Sequence, residues 1–336
     1  MELPAVLRRA VDEALEGEPL DRLTRASQTL SDRYRREVRD GRFHIDGTLA
    51  AKAYLATRLP ATFAAVRAAL DMVAEASPSF VPKTLLDVGA GPGTALWAAA
   101  DCWPELRQAT IVEASASIRA VGETLARSST VDSTWLAGDV TAALPVQAPA
   151  DLVTLAYVLD EIAETAVAAV TEKLWMLTGQ TLVIVEPGTP AGWRRIQIAR
   201  DTLIRTGGHL VAPCPHATPC AITGSDWCHF SRRVARSRLH RLAKQADVPW
   251  EDEKYIFIAA SRMPAEPPPA RILAPPRVAS GLVRLKLCRS DGAIGELTVS
   301  RRDGDLFREA RRADWGDGFH LPPVEIGPEG DLLDGV

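Results

Sequence analysis

Two groups of residues have the types and the spacing to do chemistry. In the first, Asp87 closes a short apolar run, and Gly89, Gly91 and Gly93 follow at alternate positions before the helix-forming stretch 95–100. Glycines let the backbone turn sharply and let a ligand approach it closely. The helix start behind them offers unpaired N–H groups to polar ligand atoms. The spacing G-x-G-x-G departs from the G-x-G-x-x-G of dinucleotide binders. An acid directly before the turn suits a ligand that carries an ammonium group.

The second group is the cysteines: Cys102, Cys214, Cys220, Cys228 and Cys288. Three of them fall within residues 209–230 with the spacing C-x5-C-x7-C, and Pro213, Pro215 and Pro219 exclude a regular helix there. A long loop without periodicity needs something to hold it, and a metal supplies that. Cys288 is available as a fourth ligand. Four thiolates suit zinc or an iron–sulfur cluster. The close C-x2-4-C pairs of zinc sites are missing, and wide, proline-separated spacing fits the larger footprint of a cubane. His216 and His229 keep a mixed zinc site open. Cys102, in the helix after the glycine loop, reads as a small buried hydrophobe.

These residues need a scaffold. Residues 83–186 alternate strand and helix, with strands predicted at 84–88, 109–113, 134–136, 151–157 and 181–186, and helices at 115–127 and 160–177. The fold class is α/β: a parallel sheet covered by helices, with ligands at the carboxyl ends of its strands. Those ends carry acids. Glu113 can accept both hydroxyls of a ribose. Asp139 can take an adenine amino group, and residues 157–161 lie where a transferred group would be. Together with Asp87 they point to S-adenosyl-L-methionine (SAM).

This order of motifs, over residues 80–262, resembles the Rossmann-like class I methyltransferases. Asp87, Gly89, Gly91 and Gly93 match the first motif, Glu113 the ribose acid and Asp139 the adenine position. The stretch after the fourth strand departs from the pattern. It has no Asn-Pro-Pro-Tyr for base amine methylation and no cysteine to attack a pyrimidine ring.

The rest of the chain adds partners. Residues 1–80 read as a helical cap in which Ser31 and Asp32 start a helix carrying the Arg33–Arg39 cluster. Residues 231–246 read as a helix bearing Arg232, Arg233, Arg236, Arg238, Arg241 and Lys244. Forked guanidinium groups bind phosphates without reading sequence. Trp227 and Phe230 have two readings, stacking on unpaired bases or shielding the cluster from water. Tyr255 to Ala260 reads as the last strand of the sheet. Residues 263–276 form a proline-rich linker. Residues 277–318 read as a small basic β module with a hairpin around Ser290-Asp291-Gly292, and 319–336 as an acidic, mobile tail. Counting the cysteine segment 209–230 as an insertion, the methyltransferase-like domain spans 81–262.

Length and charge set bounds. The 336 residues suffice for two or three domains, and the net charge of -4 shows no global basicity. No apolar run is long enough for a membrane span. Residues 1–20 mix acids and bases without an apolar core and read as neither a signal nor a transit peptide. A cytoplasmic monomer without membrane contact, and without disulfides, is the expectation.

Residues 186–193, the cysteine segment with Trp227-Cys228-His229-Phe230, and the arginine-rich stretch after it resemble one family. It is that of the methyltransferase-like protein of the mitochondrial small ribosomal subunit and its bacterial relatives. The resemblance, over residues 30–290, implies a [4Fe-4S] cluster on Cys214, Cys220, Cys228 and Cys288. It also implies docking on the small ribosomal subunit and its rRNA, as an rRNA methyltransferase or an assembly factor. Two further readings stay open: an assembly factor whose pocket binds ligand without turnover, and a small-molecule methyltransferase with zinc.

Overall fold

The computed structural model describes residues 1–36, 44–146 and 148–321. Four helices come first: α1 (Ala5–Leu15), α2 (Leu20–Arg35), α3 (Thr48–Thr57) and α4 (Leu59–Ala76). In α1, Leu7, Val11 and Leu15 recur at helical spacing and face inward. Pro60 sits in the first turn of α4, where its missing N–H costs nothing. Ser31 and Asp32 lie inside α2 and start no new helix. Arg39 of the predicted cluster lies outside the described residues.

Strand and helix then alternate: β1 (Thr84–Val88), α5 (Thr94–Cys102), β2 (Gln108–Glu113), α6 (Ala116–Ala126), β3 (Asp132–Ala137), β4 (Ala150–Ala156), α7 (Val167–Met176), β5 (Thr178–Pro187), α8 (Pro190–Arg205) and β6 (His209–Ala212). The helix predicted from 160 begins only at Val167, after a 3-10 turn. β7 (Phe230–Ala235), α9 (Arg238–Lys244) and β8 (Trp250–Ser261) complete this part.

The large sheet has the order β3-β2-β1-β4-β5-β8-β6, with β7 paired to β8. β1 to β5 run parallel, whereas β8 is antiparallel to β5, β6 and β7, so the sheet is mixed and not wholly parallel. α4 and α8 each pack against β5, β6 and β8, and so cover opposite faces. This Rossmann-like arrangement brings the loops after β1, β2, β3 and β4 to one edge.

The helix predicted over 231–246 is replaced by a strand, a turn and a short helix. Arg232 and Arg233 lie opposite Glu253 and Asp252 across the β7–β8 ladder. Opposite charges facing each other across a ladder stabilise it, and pairing with a distant strand overrides the helix preference of arginine. Ser237 then caps α9, its hydroxyl accepting from the His240 N–H at 3.1 Å.

The C-terminal strands are β9 (Ala270–Ile272), β10 (Arg277–Ala279), β11 (Leu282–Arg289), β12 (Ile294–Ser300) and β13 (Gly318–Phe319), with α10 (Gly304–Arg312) between the last two. They form a second sheet around Val283, Leu285, Leu287, Val299 and Phe307. The β11–β12 hairpin turns at Ser290-Asp291-Gly292. Part of the predicted linker, Ala270–Ile272, is the strand β9. Residues 322–336, most of the predicted tail, lie outside the described residues.

Candidate functional site

The loop after β1 has all three of its glycines at positive φ: 64° at Gly89, 57° at Gly91 and 78° at Gly93. At Gly89 a side chain is excluded twice over, because a Cβ there would lie 2.4 Å from Val158 Cγ2. The Gly89 N–H donates to the Val112 carbonyl at 2.8 Å, which ties the loop to β2. α5 then starts from Gly93, and the Thr94 hydroxyl at its first turn is buried beside the Tyr54 hydroxyl.

Acids surround this loop. Thr154 donates its hydroxyl to Asp87 Oδ1 at 2.8 Å, while Asp87 Oδ2 is buried without a protein partner. Burial pushes the Asp87 carboxyl up to about 7 against the Thr154 hydrogen bond, and the Glu113 charge adds to the rise. Glu113 Oε2 accepts from the Gly91 N–H at 2.8 Å, and Oε1 from the Ser115 N–H at 2.7 Å. Each oxygen keeps a lone pair for a further donor. Asp139 is exposed, and its Oδ1 accepts from the N–H and the hydroxyl of Thr141, both at 2.7 Å. Asp87, Gly89, Gly91, Glu113 and Asp139 all line one cavity of about 490 Å³; Gly93 does not line it and serves as the helix start.

The loop after β4 closes the cavity with Tyr157 and Glu161, part of the stretch 157–161 expected there. The helical cap closes it with Tyr34, Tyr54 and Arg58, which local sequence does not single out. Tyr157 has φ 60°, a conformation that costs a bulky residue about 1–3 kcal/mol. Its hydroxyl donates to Glu253 Oε1 at 2.9 Å, and Arg58 Nη2 lies 3.9 Å from the same oxygen. The Arg58 guanidinium also stands 5.7 Å from the Tyr34 ring centroid. Burial pushes Glu161 up to about 8, with Asp160 and Glu113 adding to it. The cavity therefore offers carboxylates to a cation and a guanidinium with a buried hydroxyl to an anion, which suits an amino-acid zwitterion.

The four cysteines of interest converge. Cys214 and Cys220 lie between β6 and β7, Cys228 just before β7, and Cys288 near the end of β11. All four line one small cavity, with apolar walls that include Ile222, Phe230 and Phe257. The hairpin turn that follows Cys288 packs on the cysteine segment, since a Cβ at Gly292 would lie 2.4 Å from Thr218 Oγ1. Lys286 pairs with Asp226 across the same contact. Burial pushes the Cys214 thiol up, Cys228 well up and Cys288 up to about 12. Among the described residues, no group of three or more His, Cys, Asp or Glu stands close enough to hold a single metal ion. His216 lines this cavity, but His229 does not: its ring stacks on Trp227 at 5.0 Å and meets Trp315 edge-on at 4.9 Å. Phe230 is fully buried at the cavity wall, so it shields the cysteines and cannot stack on a base. Cys102 stays apart, half-buried against the core.

The basic stretch after the cysteines is less free than its composition implies. Arg233 pairs with Asp252 at 2.9 Å. Arg236 and Lys244 both reach Glu251 Oε2 at 3.0 Å, and His240 Nε2 lies 3.4 Å from Oε1. Arg232, Arg238 and Arg241 remain exposed, with Trp250 beside Arg233.

A family model described as mitochondrial small ribosomal subunit Rsm22 matches residues 48–320. The mitochondrial ribosome assembly protein METTL17 of Homo sapiens is 32% identical over 283 residues, covering 79% of this chain and 61% of that protein. The mitochondrial Rsm22-cox11 tandem protein 2 of Schizosaccharomyces pombe is 27% identical over 195 residues, 44% of this chain and 26% of that protein. The chain thus spans about three fifths of the human relative and about a quarter of the yeast one. Among solved structures, magnesium protoporphyrin IX methyltransferase from Synechocystis with bound SAM shows 13% identity and a TM-score of 0.42, covering 69% of this chain and 91% of that one. A putative RNA methyltransferase from Pyrococcus horikoshii shows 14% identity and a TM-score of 0.39, covering 58% and 81%. One expectation is corrected by these matches. The family and the relatives are described as mitochondrial, which points away from the cytoplasmic placement read from the sequence.

Proposed function

The chain belongs to the mitochondrial small ribosomal subunit Rsm22 family, and from that premise we propose that it binds SAM and acts on the rRNA of the small ribosomal subunit during assembly. The observation that carries this reading is the buried, unpartnered Asp87 Oδ2 in a cavity that Glu113 and Asp139 also line. A buried carboxylate oxygen without a donor is costly, and a ligand ammonium relieves it. Glu113 would then take the ribose hydroxyls, Asp139 the adenine amino group, and Arg58 with Thr94 the carboxylate. SAM, when bound, supplies an activated methyl group. The chain's part is to fix the donor, exclude water and present residues 157–161 to the acceptor. Glu161 is the carboxylate of that stretch that lines the cavity.

The second reading, ligand binding without turnover, is favoured by Tyr157, whose hydroxyl is engaged by Glu253. Methyl transfer from labelled SAM to isolated small subunits separates the two readings, with Asp87→Ala as control. Binding without transfer leaves the second. Absence of SAM binding removes both.

The reading extends to a [4Fe-4S] cluster on Cys214, Cys220, Cys228 and Cys288. Support comes from their convergence on one apolar-walled cavity to which two distant parts of the chain contribute. Thiols held protonated by burial must lose their protons when a metal binds, so loading releases protons. With all four ligands from protein, the cluster's part is to hold the segment 213–229 against β11. Anaerobically purified protein should be brown, with iron and sulfide in cluster ratio, and Cys220→Ser should bleach it. Colourless protein with stoichiometric zinc overturns the cluster.

A further inference from the structure

Arg200 and Arg271 are among the largest fully buried side chains of the molecule, each about 1% exposed. One comes from α8 and the other from β9, 71 positions apart in the chain, yet both line the four-cysteine cavity. We propose that these two guanidinium groups are the built counter-ions of a dianionic, tetrathiolate-ligated centre in that cavity. This rests on the metal reading of the four cysteines given above.

Three donors of Arg200 and two of Arg271 are used, and they are used to shape the site. Arg200 Nη2 donates to the carbonyls of His216 at 3.0 Å and Thr218 at 2.6 Å, and Nη1 reaches Asp201 Oδ1 at 3.2 Å. Arg271 Nε donates to the Pro213 carbonyl at 3.1 Å and Nη1 to the Gly316 carbonyl at 2.9 Å. Both arginines therefore clamp the backbone of the cysteine segment. One nitrogen on each is left over: Arg200 Nε and Arg271 Nη2 are buried with no oxygen or nitrogen acceptor, and the Arg200 guanidinium already hydrogen-bonds the Cys214 side chain.

Charge balance makes these orphans informative. Burying a cation without an anion is strongly unfavourable. Asp201 answers Arg200 only from an exposed position, and Glu75 and Asp317, the acids nearest Arg271, are exposed as well. Neutral thiols supply no charge. Four thiolates on either a [4Fe-4S] core or a zinc ion carry two net negative charges, which two guanidinium groups match. The orphaned N–H groups would donate to sulfur. Partners of this kind outside the ligand set typically change metal affinity about 10- to 100-fold.

The test uses the full chain, purified anaerobically, with Arg200→Met and Arg271→Met to remove the charge and Arg200→Lys and Arg271→Lys to keep it. Iron, sulfide and zinc per chain identify the centre, and the rate of its loss to excess EDTA reads its retention. The methionine variants should lose the centre about 10- to 100-fold faster than the parent. An iron centre should also show a more negative reduction potential, because its reduced form carries the larger negative charge. Should the methionine variants fail to fold, the lysine variants decide, since each loses the orphaned N–H but keeps the charge. For them a roughly tenfold faster loss is expected, and parental retention overturns the proposal. Parental retention and potential in folded methionine variants overturn it too, while leaving the metal reading intact. A parent that holds neither iron nor zinc removes the metal reading, and the counter-ion role goes with it.

Discussion

The main-chain N–H of Gly91 and the Glu113 carboxylate meet at 2.8 Å, so the glycine loop after β1 and the acid that ends β2 form one piece. The other Glu113 oxygen holds the Ser115 N–H at 2.7 Å. The acid therefore shapes the pocket before any ligand arrives. Glu113→Ala strands two backbone donors, and the expected cost is about 1–3 kcal/mol of stability. SAM affinity should fall by about tenfold or more, since the ribose hydroxyls lose their acceptor. Thermal unfolding and calorimetric titration with SAM check both. Unchanged values in both would remove Glu113 from the site.

The pH dependence of this pocket has a definite sign. Asp87 titrates near 3.8 when free and at about 7 in the fold, because burial disfavours its charge. The folded state holds the proton more tightly than the unfolded chain. Its contribution to stability is full below about pH 4 and is lost as pH rises toward 7. Glu161, raised to about 8, acts in the same direction. Ligand-free protein should therefore melt at a lower temperature at pH 8 than at pH 5.5, with a shallower slope in Asp87→Asn. A cationic ligand prefers ionised Asp87, so SAM should bind more tightly as pH rises through 7. Asp87→Asn should flatten that rise as well. A binding curve equally steep in the variant would show that Asp87 does not face the ligand's charge.

The hairpin turn of the C-terminal sheet supplies a third test. Gly292 has φ 89°, and a Cβ there would press on Thr218 Oγ1 at 2.4 Å. Gly292→Val adds a β-branched side chain where backbone and space both exclude it. We expect a loss of about 1–3 kcal/mol and faster proteolytic cleavage near residue 265, as β11 lifts from the cysteine segment. Unaltered stability and cleavage would mean that the turn does not hold the two parts together.

The chain sequence made some of this legible and hid the rest, for physical reasons. The glycine loop and Glu113 could be read directly, because a strand end, a tight turn and an acid are local features. Cys288 could be set beside the distant segment 214–228 only as an available fourth thiol and through the family resemblance, because nothing local to Cys288 points to that segment. Arg58, Arg200 and Arg271 look like ordinary surface cations in the sequence; burial by distant elements gives them their roles. The stretch 231–235 was misread as helix because its strand pairing depends on Asp252 and Glu253, about 20 positions away. Location was misread as well, since the absence of an obvious leader in residues 1–20 carried more weight than it bears.

The same pairing divides the arginines into two kinds, and that division is testable. Arg236 and Lys244 are held by Glu251, which also faces His240, so they serve the packing of α9. Arg238 and Arg241 are exposed on the same helix, and neither is in a carboxylate pair among the described residues. If small-subunit rRNA lies against this face, Arg238→Gln with Arg241→Gln should weaken binding and reduce the slope of log affinity against log salt by about one per lost phosphate contact. Melting temperature should not change. Glu251→Gln should do the opposite: it leaves two partly buried cations without their anion, costs about 1–3 kcal/mol, and leaves the salt slope near the parental value in protein that remains folded. Filter binding of a small-subunit rRNA fragment across a salt series, read beside thermal unfolding, distinguishes the two sets. A salt slope that the double arginine variant leaves untouched would place the RNA on another face of the molecule.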